Sequence, residues 1–477
     1  MSFASPLFLW YFMPTVLAAV LVAPRGWRNG IVGSASLVFY AVAAGPTTLL
    51  LLACMVVNYV VAPALEPDDW DVAPKQRRRM LTGVIVFDVA VLVVWKYAGF
   101  ASAQAAGLAS FTGWDLPTVS LILPIGISFY TFHHISYVVD VYRGERPALR
   151  SKVAFVAYIA MFPQLVAGPI VRYREIADQL APPRSDRRDD IAAGFPRFAL
   201  GLTKKVVIAD SLAPVVDACF ATPADQMTTA IAWLGAIGYT LQLYFDFSGY
   251  SDMAIGLARM LGFRLPENFA RPYSSASITE FWRRWHMSLS RWFRDYVYIP
   301  LGGNRYGDRI TYRNLWIVFV LAGLWHGASW TFLLWGLYHG TALVIERRRG
   351  LAVPPTELGL WWGRRALTLL VVVVGWVLFR SPDLSTALVF LQHMVIPDFD
   401  GLTDVVDASL THQRLTILLL AALVFLLPTK PVTGRYLESV QSRPATALRV
   451  GVMTIGVAYS ALLLTTGTFS PFLYYRF

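Results

Sequence analysis

The sequence predicts an all-helical, polytopic membrane protein, and two observations support this fold class. Hydrophobic residues make up 56% of the 477 residues, charged residues make up 15%, and the mean hydropathy is +0.51. A soluble protein carries about 25% charged residues. Apolar stretches of spanning or near-spanning length also recur along the chain, and a segment in lipid must satisfy its own backbone, which a helix does. We expect about 11 or 12 transmembrane or re-entrant helices.

The basic residues follow the pattern of a membrane protein rather than a nucleic-acid-binding one. The net charge is +11, but the charges fall in short clusters between apolar segments, as at Lys75 to Arg79 and Arg347 to Arg349. Such clusters indicate cytosolic loops and attraction to anionic lipid headgroups. We therefore predict an outer N-terminus, cytosolic loops at Arg25 and Lys75, and no cleavable signal or transit peptide.

The chain shows neither an internal repeat nor a long linker, so we predict one integral domain over residues 1–477, with the motif-bearing core at about 121–340. Its only cysteines, Cys54 and Cys219, lie in apolar contexts. Neither a disulfide framework nor a thiolate metal site is therefore available, whereas metal binding through histidine alone stays open.

Two histidines give the strongest functional signal. His286 lies in a cluster of arginines and tryptophans, whereas His326 lies in an almost unbroken apolar run from Leu315 to Leu337. An unpaired polar group in lipid costs several kcal/mol. One interpretation of His326 is a helix-packing histidine bonded to a backbone carbonyl. The other is catalysis, because imidazole can take a proton from a hydroxyl and return one to a leaving group.

Large apolar residues recur at helical spacing around His286, with arginines between them. One interpretation is an amphipathic helix in the headgroup region. In the other, guanidinium groups bind the phosphates of a phosphopantetheine or coenzyme A donor. The spacing does not decide between the two. The candidate donor-binding residues are Arg283, Arg284, Arg291 and Arg294.

A dense series of polar residues occurs in the apolar stretch from Leu241 to Phe263, with Gly249 as an expected local break in the helix. Carboxylates at membrane depth must be bonded to hydroxyl or basic partners. The series is either a buried network that holds helices together or a surface that contacts substrate, and in both cases we expect it to line a cavity. These residues, called the polar ladder below, are Tyr244, Asp246, Ser248, Tyr250 and Asp252.

Two further features break the apolar pattern. FPQLVAGPI, at 162–170, contains two prolines and a glycine and predicts broken helix that is buried or lines a cavity. Lys204 and Lys205 lie in an otherwise apolar run. They either hold an anionic donor or extend to the interface, and the second interpretation is favoured.

Together these residues resemble the membrane-bound O-acyltransferase (MBOAT) family. RRWHMSLSRWFRDYVYIPLGGNR, followed by LWHGASWTFLLWG, is similar to the bacterial branch that contains alginate O-acetyltransferases and teichoic acid D-alanyltransferases. FPQLVAGPI, YFDFSGYSDMAIGLARMLGF and ENFARPYSSASITEFWRRWH resemble the alginate-type subgroup. The terminal SPFLYYRF resembles the aromatic tail of that branch, with Arg476 where glutamine is frequent.

The resemblance implies an all-helical ring around a central funnel in the bacterial inner membrane. It assigns the catalytic role to His326 and the second family histidine to His286. It also implies no metal or bound cofactor, and an acetyl thioester such as acetyl-CoA as the donor substrate. The acceptor is expected to be an extracytoplasmic polysaccharide, reached through an extracytoplasmic acetyltransferase partner protein.

Other functions remain open at this stage. Peptidoglycan and cellulose stay open as alternative acceptors, because the shared motifs concern the donor and the chemistry. A transporter would use the same intramembrane polar residues, but it would usually show two related halves. A scaffold for polysaccharide export would not need a histidine in an apolar segment.

Overall fold

The computed structural model describes residues 2–67, 72–181, 186–428, 434–436, 442–465 and 472–473. The protein is 77% helical, and the described ranges contain no β-strand. The prediction of an all-α protein is therefore confirmed.

The first part of the chain contains eleven α-helices in the described ranges. They are α1 (Met13–Val22), α2 (Arg28–Ala44), α3 (Thr48–Val61), α4 (Pro74–Ser110), α5 (Ile127–Tyr142), α6 (Lys152–Ala160), α7 (Phe162–Leu165), α8 (Tyr173–Ile176), α9 (Arg187–Thr203), α10 (Asp210–Phe220) and α11 (Thr229–Met260). Of these, α6, α7 and α8 are the shortest.

The second part begins with two short helices that carry the arginine-rich motif. Its helices are α12 (Ile278–Arg284), α13 (Met287–Phe293), α14 (Asp308–His326), α15 (Trp330–Arg348), α16 (Leu358–Arg380), α17 (Leu384–Val395), α18 (Asp404–Ser409), α19 (His412–Ala422), α20 (Arg443–Gly451) and α21 (Val457–Thr465).

Four helical segments in the described part of the chain are long and apolar enough to cross a membrane. They are Arg25–Leu65, Pro74–Ser110, Leu358–Arg380 and Arg443–Thr465. Shorter apolar helices occur at Phe8–Val22, Leu384–Val395 and His412–Phe425. The protein is therefore a multi-pass membrane protein, whereas the count of 11 or 12 membrane segments stays a prediction.

The chain forms two compact units that interleave in sequence. The first comprises Met1–Phe195 and Ala254–Pro266, and the second comprises Pro196–Met253 and Glu267–Phe477. The prediction of one integral domain, with its core at about 121–340, stays a prediction.

The FPQLVAGPI segment lies in the first unit and is broken as predicted. Helix α6 ends at Ala160, α7 covers only Phe162–Leu165, and residues 166–172 are not helical. Every residue from 161 to 171 is buried. Irregular backbone is tolerated at membrane depth under that condition.

Gly249, in the second unit, does not break its helix, so the predicted break is wrong. Helix α11 continues through this position from Thr229 to Met260. A Cβ atom added to Gly249 would lie 2.8 Å from the carbonyl oxygen of Gly201 and 3.1 Å from the backbone nitrogen of Lys205. The glycine therefore serves close packing between two helical backbones.

We expect Gly249→Ala to destabilise the protein by about 1–3 kcal/mol, because the added methyl group forces facing backbones apart. Gly83→Ala is the matched control, since a Cβ at Gly83 in α4 would meet no atom within 4 Å. Thermal unfolding of the detergent-purified proteins measures both variants. Equal midpoints for the two would contradict the packing role of Gly249.

Lys204 and Lys205 do not extend to the interface, so that interpretation is wrong. The Lys205 ammonium is 2.6 Å from Asp210 Oδ1 and 2.7 Å from Asp246 Oδ1, and this residue is 2% exposed. The Lys204 ammonium is 2.6 Å from Asp252 Oδ2. Both lysines therefore neutralise buried carboxylates, which would otherwise be costly at these positions.

Candidate active site

His326 lies at the bend of a tight helical hairpin in the second unit. It is the last residue of α14, and Gly327 follows it in an extended conformation. Ser329 then caps α15. A Cβ on Gly323 would strike the carbonyl oxygen of Phe332, so this glycine lets the two helices approach closely. The hairpin thus places the histidine at a helix end inside the apolar run.

The His326 imidazole is enclosed by aromatic rings. Its ring centroid lies 4.9 Å from that of Trp325, 5.1 Å from that of Trp335 and 4.9 Å from that of Phe379. All three contacts are edge-to-face, and His326 is 6% exposed. Close packing against several rings restricts the orientation of the imidazole.

His286 occupies an unusual backbone conformation between α12 and α13. Its φ of 44° and ψ of 53° lie in the left-handed region, and the residue is 1% exposed. Non-glycine residues in this region are uncommon, and where they occur the surrounding structure must hold them. Asn268 does so, because its carbonyl oxygen accepts the backbone N–H of Met287 at 2.9 Å and its side chain contacts the imidazole.

The Asn268 side chain also defines the tautomer of His286. Its Oδ1 accepts the hydroxyl of Ser288 at 2.9 Å and the backbone N–H of the same serine at 3.3 Å. The third contact to Oδ1 is His286 Nδ1 at 3.1 Å. Since an amide oxygen only accepts hydrogen bonds, Nδ1 of the neutral imidazole carries the proton and Nε2 carries the lone pair.

Asn268 was not singled out from the sequence, although it lies in the ENFARPYSSAS stretch that carries the resemblance. Its side-chain nitrogen donates to the hydroxyl of Ser251 at 3.0 Å, and Ser251 belongs to α11. The Phe247 ring of the same helix lies 4.7 Å from the His286 ring. Two neighbouring turns of α11 therefore support His286, one directly and one through Asn268.

Both histidines line one cavity, and the ring of Trp325 lies 6.0 Å from that of His286 and 4.9 Å from that of His326. The cavity has a volume of about 230 Å³. Most of its lining is aromatic or aliphatic, as expected of a small-molecule site with a few convergent polar groups. The lining residues are Thr279, Trp282, Arg283, Trp285, His286, Leu289, Ser290, Phe293, Arg294, Tyr298, Leu315, Val318, Phe319, Ala322, His326, Trp335 and Leu343.

Two of the four candidate arginines line this cavity, Arg283 and Arg294. Arg283 is exposed and makes no side-chain hydrogen bond or ion pair to any described residue. Arg294 pairs with its neighbour Asp295 at 2.7 Å while its side chain remains 55% exposed. Both guanidinium groups are therefore available to an anionic ligand at the cavity.

The other two arginines serve local structure. Arg284 pairs with Glu280 at 2.8 Å along α12, and Arg291 donates to the carbonyl oxygen of Glu267 at 3.4 Å. Neither is among the residues that line the cavity. All four arginines lie in the same amphipathic motif, so the sequence does not separate these two pairs.

The polar ladder is buried in the second unit, but none of its members is among the residues that line the histidine cavity. Asp252 accepts Arg197 Nε at 2.6 Å in addition to its contact with Lys204. Asp246 pairs with Lys205 at 2.7 Å. These contacts favour the interpretation of the ladder as a buried network that holds helices together.

The end of the chain also contacts the ladder. The Phe472 ring stacks on Tyr250 with centroids 4.4 Å apart, and the backbone N–H of Leu473 donates to Asp246 Oδ2 at 2.9 Å. The other residues of SPFLYYRF, with Arg476, lie outside the described residues.

The ranges that the structure describes contain no group of three or more histidine, cysteine or acidic residues that could hold a metal ion. The fold and the site thus define a polytopic, all-helical membrane protein with two buried histidines in one cavity. Residues 145–379 match the model of the membrane-bound O-acyltransferase family. The chain belongs to this family, and it is an O-acyltransferase.

Curated relatives cover most or all of the chain. It is 44% identical to the probable alginate O-acetylase AlgI of Azotobacter vinelandii, with 100% of both proteins aligned. Identity to the probable alginate O-acetylase AlgI of Pseudomonas aeruginosa is 45%, covering 89% of this chain and 80% of the relative. Identity to the peptidoglycan O-acetyltransferase of Helicobacter pylori is 36%, covering 82% of this chain and 79% of the relative.

Proposed function

We propose that this protein transfers acetyl groups from a cytosolic thioester towards an extracytoplasmic polysaccharide of the alginate type, in the inner membrane of a bacterium. The convergence of His286 and His326 on one aromatic cavity carries the proposal. The names of the relatives from Azotobacter and Pseudomonas support the acceptor class. The volume of about 230 Å³ suits a small acyl group.

In the proposed reaction, His326 is the general base and takes the proton of the acceptor hydroxyl. The hydroxyl oxygen attacks the thioester carbonyl, the carbon–sulfur bond breaks, and His326 returns the proton to the departing thiolate. His286 orients the acyl group or the donor, and the tautomer that Asn268 selects points to Nε2 as its working nitrogen. Positioned acid–base groups of this kind contribute about 10²–10⁴-fold in rate.

We further propose acetyl-CoA as the donor, bound through its phosphates. Arg283 and Arg294 are suited to this role because both border the cavity. Guanidinium groups match phosphate geometry and form charge-assisted hydrogen bonds. Arg284 and Arg291 then contribute by holding the arginine-rich helices in place.

An extracytoplasmic acetyltransferase partner is proposed to complete the transfer to the polymer. A hydroxyl on the partner would receive the acetyl group at the outer face and deliver it. The peptidoglycan O-acetyltransferase of Helicobacter pylori supports peptidoglycan as the second candidate acceptor.

Base-labile acetate on each isolated envelope and secreted polysaccharide tests the proposal. A deletion strain is expected to lose acetate from an alginate-type polymer, and the wild-type gene is expected to restore it. Loss of acetate from peptidoglycan alone would show that peptidoglycan is the acceptor. Unchanged acetate on every polymer would contradict the proposed function.

We expect Asn268→Ala to lower kcat by about tenfold or more with little change in KM, because the imidazole of His286 loses its tautomer and orientation. Asn268→Asp keeps an acceptor oxygen facing Nδ1 and is expected to recover part of the lost kcat. Acetyl transfer in membrane vesicles, at matched protein levels, gives both constants. Equal losses in the two variants, with wild-type unfolding midpoints, would contradict the positioning role of Asn268.

A further inference from the structure

A second, larger concavity lies outside the histidine site, between α15 and α16 of the second unit. Its volume is about 710 Å³. Helix α15 contributes residues from Leu334 to Glu346, and α16 contributes residues from Arg364 to Leu378. Over these segments the groove is about 18–21 Å long at 1.5 Å per residue, slightly more than the hydrocarbon thickness of one leaflet, about 15 Å.

The wall of this groove presents mainly apolar groups to a ligand. Its hydroxyl groups donate to backbone carbonyls, Tyr338 to Val371 at 2.9 Å, and Thr341 to Leu337 at 2.7 Å. Thr368 likewise donates to its own helix. Since these hydroxyl donors are already used, the long part of the groove offers methyl and methylene groups to a ligand, as an acyl chain requires.

One end of the groove is basic. Arg349 is exposed, and its side chain makes no hydrogen bond or ion pair to the described part of the chain. Arg364 also lines this end and donates only to the backbone carbonyls of Val353 and Leu351. Neither arginine forms an ion pair with a described carboxylate.

The acidic residue that lines this end does not cancel the positive charge. Glu346 lines the same end, but its carboxylate accepts the backbone N–H groups of Ile278 at 2.7 Å and Thr279 at 2.8 Å. It also accepts the Thr279 hydroxyl. The carboxylate is therefore committed to the start of α12, whereas the two guanidinium groups keep donors for an anion. Glu357, the exposed N-cap of α16, is the other acidic residue near this end in sequence.

We propose that the groove binds one anionic glycerophospholipid, with an acyl chain between α15 and α16 and the phosphate against Arg349 and Arg364. Basic pockets between transmembrane helices bind anionic lipid headgroups in this manner. The apolar length fits the chain, and the uncompensated charge lies at one end only. This site is separate from the acetyl-transfer cavity, which shares none of its lining residues.

Native mass spectrometry of the full-length protein, titrated with phosphatidylglycerol or phosphatidylcholine, tests the site. The wild type is expected to retain one phosphatidylglycerol more tightly than phosphatidylcholine. Arg349→Gln/Arg364→Gln is expected to weaken phosphatidylglycerol binding at least tenfold. Ala342→Trp, which fills the groove without a change of charge, is expected to abolish retention of both lipids.

Arg305→Gln/Arg309→Gln is the matched control, because these arginines are exposed, line neither of the two concavities, and their removal changes the net charge equally. Binding within twofold of wild type is expected for this control. Equal weakening in both double variants would show general charge attraction and overturn the proposal. So would a dimer that carries no lipid and dissociates with Ala342→Trp, since the groove would then hold a second copy of the chain.

Discussion

Replacing His326 with glutamine is expected to lower acetyl transfer by about 10³-fold, because the general base is lost while a side chain of similar length remains in the aromatic enclosure. His326 contacts Trp325, Trp335 and Phe379, so alanine would leave a void among these rings. Glutamine limits that structural effect. Transfer of labelled acetate from acetyl-CoA in membrane vesicles, at matched protein levels, measures the change.

His339→Gln provides a demanding control for this prediction. His339 is fully buried in α15 and contacts the same Trp335 ring at 5.1 Å, but it does not line the cavity. It therefore reproduces the structural disturbance of replacing a buried imidazole without removing the proposed base. Retained activity in His326→Gln, or an equal loss in both variants, would contradict a catalytic role for His326.

Replacing Lys205 with methionine is expected to cause the largest loss of stability, about 3–5 kcal/mol, because the change removes the cation that two buried carboxylates share. Asp210 and Asp246 each lie within 2.7 Å of its ammonium group. Breaking one side of a buried ion pair costs far more than replacing the whole pair with apolar groups. A large drop in the unfolding midpoint and in the yield of membrane-inserted protein is expected.

Lys204→Met is the internal control for Lys205→Met. Asp252, the partner of Lys204, also accepts Arg197 Nε at 2.6 Å and therefore keeps a cation when Lys204 is removed. We expect the neighbouring substitution to have a clearly smaller effect on the unfolding midpoint. Equal midpoints for the two variants would show that the shared ion pair of Lys205 does not stabilise the fold.

Local chemistry explains what could be predicted from the sequence. The apolar composition requires helices in lipid, and the Pro-Gly-Pro content of FPQLVAGPI requires a break. His326 stood out because a histidine is costly in an apolar run. The sequence predicts the same role for Arg283, Arg284, Arg291 and Arg294, since all four lie in one arginine-rich motif. The cavity alone separates the two pairs.

Predictions that depended on distant partners were less successful. Lysines in an apolar run predict side chains that reach the interface, but Asp246 and Asp252, which follow them by 41 and 48 residues, hold Lys205 and Lys204 in the protein interior. Gly249 was expected to break α11, but its role is set by Gly201 of another helix. Neither the burial of the lysines nor the packing role of Gly249 follows from the local sequence, because the atoms that they contact belong to other helices.

Sequence alone was thus sufficient to identify a helical membrane protein of the O-acyltransferase family, and it predicts a catalytic histidine at position 326. Hydropathy, helix-breaking residues and motifs are local properties, because each depends only on residues that are close together in sequence. The contact between Asn268 and His286 that sets the tautomer, and the cavity that both histidines share, are visible only in the folded protein. Hydrogen bonds and cavities are formed by residues far apart in sequence, and their geometry exists only after the helices have packed.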